Sequence, residues 1–150
     1  MAELNVSAER AIGAPAAVVY RCLADYREHH PRILPPAFSD VRIEEGGVSA
    51  GTVVGFAITT AGRRRAYRMR VEEPEPGRVL VERDTASSLV TTFTVTLEGE
   101  GSRVRIATTW QGAGGVGGLM ERLFAPRVLH RLYADELERL DRYAREQATA

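Results

Sequence analysis

The stretch GLMERLFAPRVLHRLYADELERL, residues 118–140, has the spacing of an amphipathic helix near the end of the chain. At about 100° per residue, one stripe of such a helix collects most of its large apolar side chains. The stripe consists of Leu119, Leu123, Tyr133, Leu137, Leu140 and Ala144. Pro126 and His130 fall within it, so a proline and a titratable ring interrupt a face that must be buried. We therefore expect this face to be partly core and partly the wall of a cavity.

The composition of the 150-residue chain is that of a soluble globular protein, with 44% hydrophobic residues, 27% charged residues and no net charge. A disordered chain would be more polar, and a membrane-spanning chain would contain a long uncharged apolar run. Balanced charge gives no general attraction to nucleic acid or to an anionic membrane. We predict one domain over residues 1–150, no nucleic-acid partner and no stable membrane anchoring.

The strand pattern occupies the first two thirds of the chain. Weak alternation predicts a first strand over residues 4–11, and Pro15 then stands where a short helix begins. Residues 29–36 contain three prolines, so we predict no regular element there. Six further strands follow, ended by glycine, proline or polar turns, with predicted ranges 38–45, 52–60, 64–73, 79–84, 89–98 and 103–110.

Short connections between these strands predict antiparallel neighbours. Tyr67 and Met69 alternate with Arg68 and Arg70, so one face of the sheet is apolar and the other is solvated. After glycine-rich residues 112–118, one long helix runs to about residue 145. Because sheet and helix each have one apolar face, they must pack on each other, which predicts an α+β domain.

The helix after the first strand carries a recognisable pattern, as does the hairpin that follows. The helix pattern is Ala14, Pro15, Tyr20, Leu23 and Asp25, and the hairpin pattern is Glu44, Glu45, Gly46 and Gly47 followed by Gly51 and Thr52. Together with the order of elements, these resemble the helix-grip fold of the START and birch-pollen-allergen (SRPBCC) superfamily, closest to its bacterial polyketide cyclase/dehydrase and lipid-transport group. The resemblance implies a curved antiparallel sheet of about seven strands wrapped around a long C-terminal helix, with short helices after strand one.

The resemblance also implies a cavity between sheet and helix that holds a hydrophobic small molecule, lipid-like or polyketide/aromatic. Taking inward positions of the strands and helix, we predict that its lining is Val54, Phe56, Ile58, Tyr67, Met69, Phe93, Val95, Trp110, Leu123, His130 and Tyr133. Members of the superfamily include carriers, receptors and aromatase/cyclases, so the fold does not define one chemistry. We predict a carrier or binding protein. The alternative is a cofactor-independent polyketide aromatase/cyclase with His130, Tyr133, Tyr67 and Thr108 as candidate proton donors.

Two residues of the helix stripe each have two interpretations. His130 either bonds a backbone carbonyl or a water, or faces the cavity and orients or protonates a ligand. Pro126 removes one helical hydrogen bond, and the expected bend either follows the curvature of the sheet or widens one end of the cavity.

Several features indicate no additional chemistry. The single cysteine, Cys22, excludes an intramolecular disulfide and a cysteine-based zinc site. The adjacent His29 and His30 cannot easily both reach one ion, so we predict exposed residues at the cavity mouth and no metal. Residues 112–118 lack the lysine of a phosphate-binding loop and are predicted to be a flexible hinge, and we expect no cofactor. The first residues lack a secretory signal, which predicts a cytoplasmic location.

The charged residues of the strands and a second apolar stripe on the helix indicate two surfaces of the protein. Arginines at residues 63–70 are predicted to form a solvated outer face balanced by Glu72, Glu73, Glu75 and Glu82. The sequence shows no paired carboxylates on an inward stripe. The second stripe is Phe124, Val128 and Leu132. It either packs beneath the mouth loop and short helices, or forms the contact of a homodimer or a docking patch for a partner protein.

Overall fold

The computed structural model describes the backbone of residues 3–112 and 115–150 and the side chains of residues 3–112 and 125–150. The helices are α1 (Ala16–Ala24), a one-turn 3-10 helix (His30–Ile33) and α2 (Gly115–Thr149). The strands are β1 (Glu3–Ile12), β2 (Phe38–Glu45), β3 (Val53–Thr60), β4 (Arg63–Glu75), β5 (Val79–Asp84), β6 (Val90–Glu98) and β7 (Gly101–Gln111).

The seven strands form one antiparallel sheet in the order β1-β7-β6-β5-β4-β3-β2. The meander from β2 to β7 follows the chain, and β1 closes the far edge by pairing with β7 from Glu3 opposite Gln111 to Ile12 opposite Ser102. α2 packs along the inner face next to β1, and α1 and the 3-10 helix cover its side. The predicted helix-grip α+β fold is therefore confirmed.

Two local predictions need correction. Residues 29–36 do contain a regular element, because Pro31 stands in the first turn of the 3-10 helix, where its missing N–H costs no hydrogen bond. α2 begins at Gly115, so most of the predicted glycine hinge is helical backbone, and residues 113–114 lie outside the described part.

The core forms where the inward face of the sheet packs against the apolar face of α2. Along β7, Val104, Ile106 and Thr108 are buried, whereas Arg105 is exposed, as alternation predicts. On α2, Leu137, Leu140 and Ala144 are buried, with at most 1% of each residue's surface exposed. Leu119 and Leu123 of the same predicted stripe lie outside the described side chains.

The second helical stripe does not lie on one outward face. Leu132 is buried, with 8% of its surface exposed, whereas Val128 is 38% exposed. Phe124 lies outside the described side chains. Leu132 is therefore not available as an exposed dimer contact in this structure, and dimerisation through this stripe stays a prediction.

Asp141 anchors the C-terminal half of α2 to the turn between β1 and α1. Its Oδ1 accepts the Gly13 backbone N–H at 2.8 Å and the Arg145 Nε–H at 2.9 Å, and its Oδ2 lies 3.4 Å from an Arg10 guanidinium nitrogen. Burial alone would raise the pKa of this carboxyl, but these donors outweigh it and hold the pKa below its usual value. The ionised carboxylate of Asp141 is therefore the form that stabilises the fold.

The outer face of the sheet carries ion pairs. Arg64 pairs with Asp40, Arg68 with Glu44, and Arg83 with Glu72. These contacts support the predicted solvated face. Within the described residues, no helix is both long and apolar enough to span a membrane.

Candidate functional site

A cavity lies between the inner face of the sheet and α2, and the segment after α1 closes one side. Its volume is about 70 Å³. The lining from this segment and β2 is Tyr26, His30, Pro31, Leu34, Phe38 and Val41. The other strands contribute Val54, Phe56, Ile58, Tyr67, Met69, Glu82, Thr91 and Phe93, the turn before β6 contributes Leu89, and α2 contributes Leu129, Tyr133 and Glu136. Its wall is mostly apolar, with a few convergent polar groups, as in many small-molecule sites.

The structure brings together seven of the side chains proposed from the sequence as ligand contacts. They are Val54, Phe56, Ile58, Tyr67, Met69, Phe93 and Tyr133. Val95 and Trp110 are buried in the core but do not line this cavity. Leu123 lies outside the described side chains. Ligand binding by these residues stays a prediction, and the geometry shows only which of them share one wall.

His130 lies outside the cavity. It is exposed, and its Nδ1 donates to the Ser7 carbonyl oxygen of β1 at 2.9 Å. It shares a shallow surface recess with Pro126, Arg127 and Arg131. The first of the two interpretations, a ring bonded to a backbone carbonyl, describes this position, because His130 lies at the edge of the buried stripe beside β1.

Two carboxyl groups lie in the cavity wall, contrary to the expectation of none. Glu82 and Glu136 are 7% and 3% exposed. Glu82 was assigned to the outer face, but on β5 it is two residues beyond buried Leu80 and therefore shares its inward face. Glu136 stands three residues after Tyr133 and four before Leu140, a spacing that also signals the buried stripe.

Two residues from the segment after α1 lie against Glu82, and one of them hydrogen-bonds it. The Tyr26 hydroxyl donates to Glu82 Oε2 at 2.6 Å, and His30 Nε2 lies 4.0 Å from the same oxygen. Tyr26 is itself fixed, since its backbone N–H donates to the Gly47 carbonyl at 2.8 Å. Burial and then the Glu82 charge raise the pKa of Tyr26 well above its ordinary value, so its hydroxyl stays a donor.

His30 is buried rather than exposed at the mouth, and only 4% of its surface is accessible. Its Nδ1 lies 2.6 Å from the Leu23 carbonyl oxygen. A carbonyl only accepts, so Nδ1 carries the proton and Nε2 faces Glu82. The ring stacks on Tyr26 with centroids 4.5 Å apart, and its edge meets Phe93 at 5.6 Å. The neighbouring His29 is half-buried, with Nδ1 2.6 Å from the Tyr143 hydroxyl oxygen.

Glu136 is an almost fully buried acid of the cavity wall. Burial raises its pKa well above the ordinary value, and the negative charge of Glu82 raises it further. Burial therefore favours the neutral, proton-bearing form of Glu136, whereas Glu82 accepts a hydrogen bond from the Tyr26 hydroxyl. Environments that divide two acids in this way are typical of acid–base sites.

Three hydroxyl groups form a second polar cluster. The Tyr133 hydroxyl lies 2.5 Å from Thr108 Oγ1, which lies 2.7 Å from Thr91 Oγ1. Burial raises the pKa of Tyr133, so it remains a neutral phenol. On the opposite wall, Tyr67 packs on Phe56 with centroids 5.6 Å apart, and burial likewise raises its pKa.

Tyr26→Phe tests whether the buried hydrogen bond to Glu82 supports the site. We expect the free energy of unfolding to fall by about 1–3 kcal/mol, since a buried carboxylate loses its charge-assisted donor. Tyr20→Phe is the matched control: its hydroxyl donates to Glu73 at 2.7 Å, but Glu73 is half-buried and retains solvent contact. Urea denaturation of both variants measures the difference. An equal or larger loss in Tyr20→Phe would contradict the assigned importance of burial at Glu82.

The sequence and the structure of the chain are similar to those of known proteins. The family model described as polyketide cyclase/dehydrase and lipid transport matches residues 3–145. The KanY protein structure is 36% identical and superposes with a TM-score of 0.86 over 97% of this chain and 99% of that chain. No curated protein sequence shows significant similarity to the chain.

Two further structures share the fold at lower identity. The Zhui aromatase/cyclase from a Streptomyces species is 20% identical, with a TM-score of 0.79 over 97% of this chain and 96% of that chain. The di-domain aromatase/cyclase StfQ from the steffimycin biosynthetic pathway is 18% identical, with a TM-score of 0.79 over 99% of this chain and 53% of its own.

Proposed function

Because the chain belongs to the polyketide cyclase/dehydrase and lipid-transport family, we propose that it is an enzyme that moves protons on a hydrophobic ketone held in its cavity. The substrate class is a polyketide-type chain or ring with β-placed carbonyl groups. The chemistry is enolisation followed by ring closure or dehydration. The observation that carries this proposal is the pair of buried carboxyls, Glu82 and Glu136, in an otherwise apolar wall.

A carrier for a lipophilic molecule has no need of such a pair. Burying an ionisable group costs free energy unless it is paired or neutralised. Here the cost falls on Glu136, because burial and the neighbouring charge of Glu82 raise the pKa of its carboxyl. Groups that cost stability and lie in a cavity are typical of catalytic sites.

The two acids suit the two ends of an enolisation. The carboxyl O–H of Glu136 donates its proton to the ketone oxygen, and the Glu82 carboxylate accepts a proton from the adjacent carbon. The C–H electron pair becomes the new C=C bond of the enol, and the C=O π pair becomes the O–H bond. Glu82 ends protonated and Glu136 ionised, so the net charge of the site is unchanged. The enol carbon can then attack a second carbonyl of the same chain: the enol O–H returns its proton to Glu136, the first C=O re-forms, and the new alkoxide oxygen takes the proton from Glu82, which restores both acids.

Tyr26 and His30 position the base in this scheme. The Tyr26 hydroxyl donates to Glu82 Oε2, which leaves Glu82 Oε1 for the substrate. His30 Nε2 lies 4.0 Å from Oε2, so the ring covers this side of the carboxyl without a direct hydrogen bond. The apolar wall from β3, β4 and β6 excludes bulk water and strengthens these interactions.

The carrier remains the second candidate, since most of the cavity lining is apolar. The volume of about 70 Å³ is small beside the ~300–1,000 Å³ of typical drug-sized sites. A multi-ring ligand in either role therefore needs the cavity to widen or must project through its mouth.

Exchange of the methyl protons of acetophenone in D₂O distinguishes the two candidates without knowledge of the natural substrate. We expect the wild-type protein to accelerate replacement of these α-protons by deuterium, as followed by ¹H NMR. The exposed-acid variant Glu72→Gln serves as the control for general protein catalysis and should exchange at the wild-type rate. Saturable binding of acetophenone without accelerated exchange would instead assign the protein as a carrier.

A further inference from the structure

The hydroxyl cluster of Tyr133, Thr108 and Thr91 is not used by the acid–base scheme, although it lies in the same cavity. Its oxygens come from three elements, α2, β7 and β6, and all three residues are at most 7% exposed. Thr91 and Thr108 are directly opposed in the β6–β7 register, so the sheet itself fixes their spacing.

The three hydroxyl groups form a row of hydrogen bonds, and only the two outer residues of the row line the cavity. Tyr133 and Thr91 belong to the wall, whereas Thr108 is completely buried behind them. Thr108 Oγ1 therefore bonds both ends, at 2.5 Å to Tyr133 and 2.7 Å to Thr91, and does not contact a ligand.

One of the three hydroxyl groups keeps an O–H that is not used in the hydrogen bonds between them. Three hydroxyls carry three protons, and the two hydrogen bonds between them use two. If Thr91 donates to Thr108 and Thr108 to Tyr133, the free O–H is the phenol, the most acidic of the three. In a buried chain each bond polarises the next, so this direction strengthens the phenol as a donor.

Tyr133 and Glu136 are three residues apart on α2, so they are neighbours on one helix face and both line the cavity. A ketone oxygen has two lone pairs and accepts two donors. We propose that the Tyr133 phenol, oriented by Thr108 and Thr91, is a second hydrogen-bond donor to the ligand carbonyl oxygen that Glu136 serves. The proposal names an uncharged carbonyl as the recognised group and assigns Thr108 as a positioning residue.

This inference rests on the proposed binding of a hydrophobic ketone in the cavity, but not on its turnover. The test compares the Kd of acetophenone with that of ethylbenzene, which has a similar shape and no oxygen, by NMR titration. We expect the wild-type protein to prefer acetophenone by about tenfold or more, because two donors meet its oxygen. In Tyr133→Phe this preference should fall by about fivefold, the value of one neutral hydrogen bond, because Glu136 still donates, and the ethylbenzene affinity should be nearly unchanged.

The positioning role of Thr108 is tested by two substitutions. Thr108→Val should lose much of the acetophenone preference, and Thr108→Ser should restore it because the hydroxyl returns. Thr94→Val, on the outward face of β6, is the matched control and should behave as the wild type. In addition, the C=O stretch of bound acetophenone should lie at a lower frequency in the wild-type complex than in Tyr133→Phe.

The remaining outcomes overturn the subsite. Equal affinities of the wild type for the two probes would leave a hydrophobic cavity without a carbonyl site, and failure to bind either probe would remove the subsite together with the cavity proposal. A parallel loss of both affinities in Thr108→Val would show a purely structural residue. Should Thr108→Val not fold, Tyr133→Phe and the infrared shift decide the question. Accelerated α-exchange with no Tyr133 effect would leave the enzyme proposal standing alone.

Discussion

Glu136→Gln is expected to slow α-proton exchange of acetophenone by about 10²–10⁴-fold, the usual contribution of one general acid or base. Glutamine keeps the shape and a hydrogen-bond donor but has no transferable proton, so the Kd of acetophenone should change by less than about threefold. The matched control is Glu138→Gln on the exposed side of the same helix, where Glu138 pairs only with Arg142 among described residues. A large rate loss in Glu138→Gln, or none in Glu136→Gln, would contradict the assigned acid.

The same substitution should make the protein more stable above neutral pH. The pKa of Glu136 is raised in the folded protein, so the native state keeps a proton that the unfolded chain loses above about pH 4.5. Wild-type stability therefore falls with rising pH, by about 1.4 kcal/mol per pH unit from this group until the native carboxyl also ionises. Glutamine does not titrate, so this decline disappears.

Urea denaturation at pH 5 and pH 8 measures this linkage. The stability difference between Glu136→Gln and the wild type should be small at pH 5 and larger, in favour of the variant, at pH 8. A difference that is independent of pH would show that Glu136 is not held neutral. A variant that gains stability while losing exchange activity has the trade-off expected of a catalytic group.

The fold could be predicted from the sequence because its determinants are periodic. The alternation of Tyr67 and Met69 with arginines defined the inward face of β4, and the glycine and proline turns defined the meander. The inward face also identified most of the apolar cavity wall. These features depend on which face a residue occupies, and that follows from a repeat of two along a strand.

The polar groups of the site were missed for a different reason. Glu82 and Glu136 occupy inward positions by spacing. Because a carboxylate is so rarely buried, Glu82 was expected on the solvated outer face. What overrides that expectation is tertiary: Tyr26, nearly sixty residues away in sequence, supplies the hydrogen bond to Glu82. Such a partner cannot be identified from a local pattern.

The histidines show how small shifts in helix position change an assignment. His130 is near the centre of a stripe drawn through Leu119, Leu123 and Tyr133, but the buried face of α2 also includes Leu132 and Glu136. With these residues included, the face rotates away from His130, which meets the Ser7 carbonyl at its edge. His30 shows the converse. The prolines of residues 29–36 argued against a regular element, but His30 begins a 3-10 helix that points its ring inward.

Asp141→Asn should lower the free energy of unfolding by about 1.5–3 kcal/mol at pH 7, because asparagine brings no charge to two arginines and offers one acceptor oxygen where the carboxylate offers two. The matched control is Asp135→Asn, since Asp135 also pairs with an arginine four residues later, at 3.0 Å, but its side chain is 43% exposed. That exposed pair should contribute less than about 0.5 kcal/mol.

The pH dependence separates the charge of Asp141 from its shape. The pKa of Asp141 is lowered in the folded protein, so its stabilisation is present above the unfolded value of about 3.8 and is lost as pH falls through the lower native value. The gap in stability between wild type and Asp141→Asn should therefore be full at pH 7 and shrink below pH 4 in urea titrations. A gap that stays constant to pH 2.5 would assign the loss to packing. A shrinking gap would show that the charge of Asp141 holds α2, with Tyr133 and Glu136, against the β1–α1 turn.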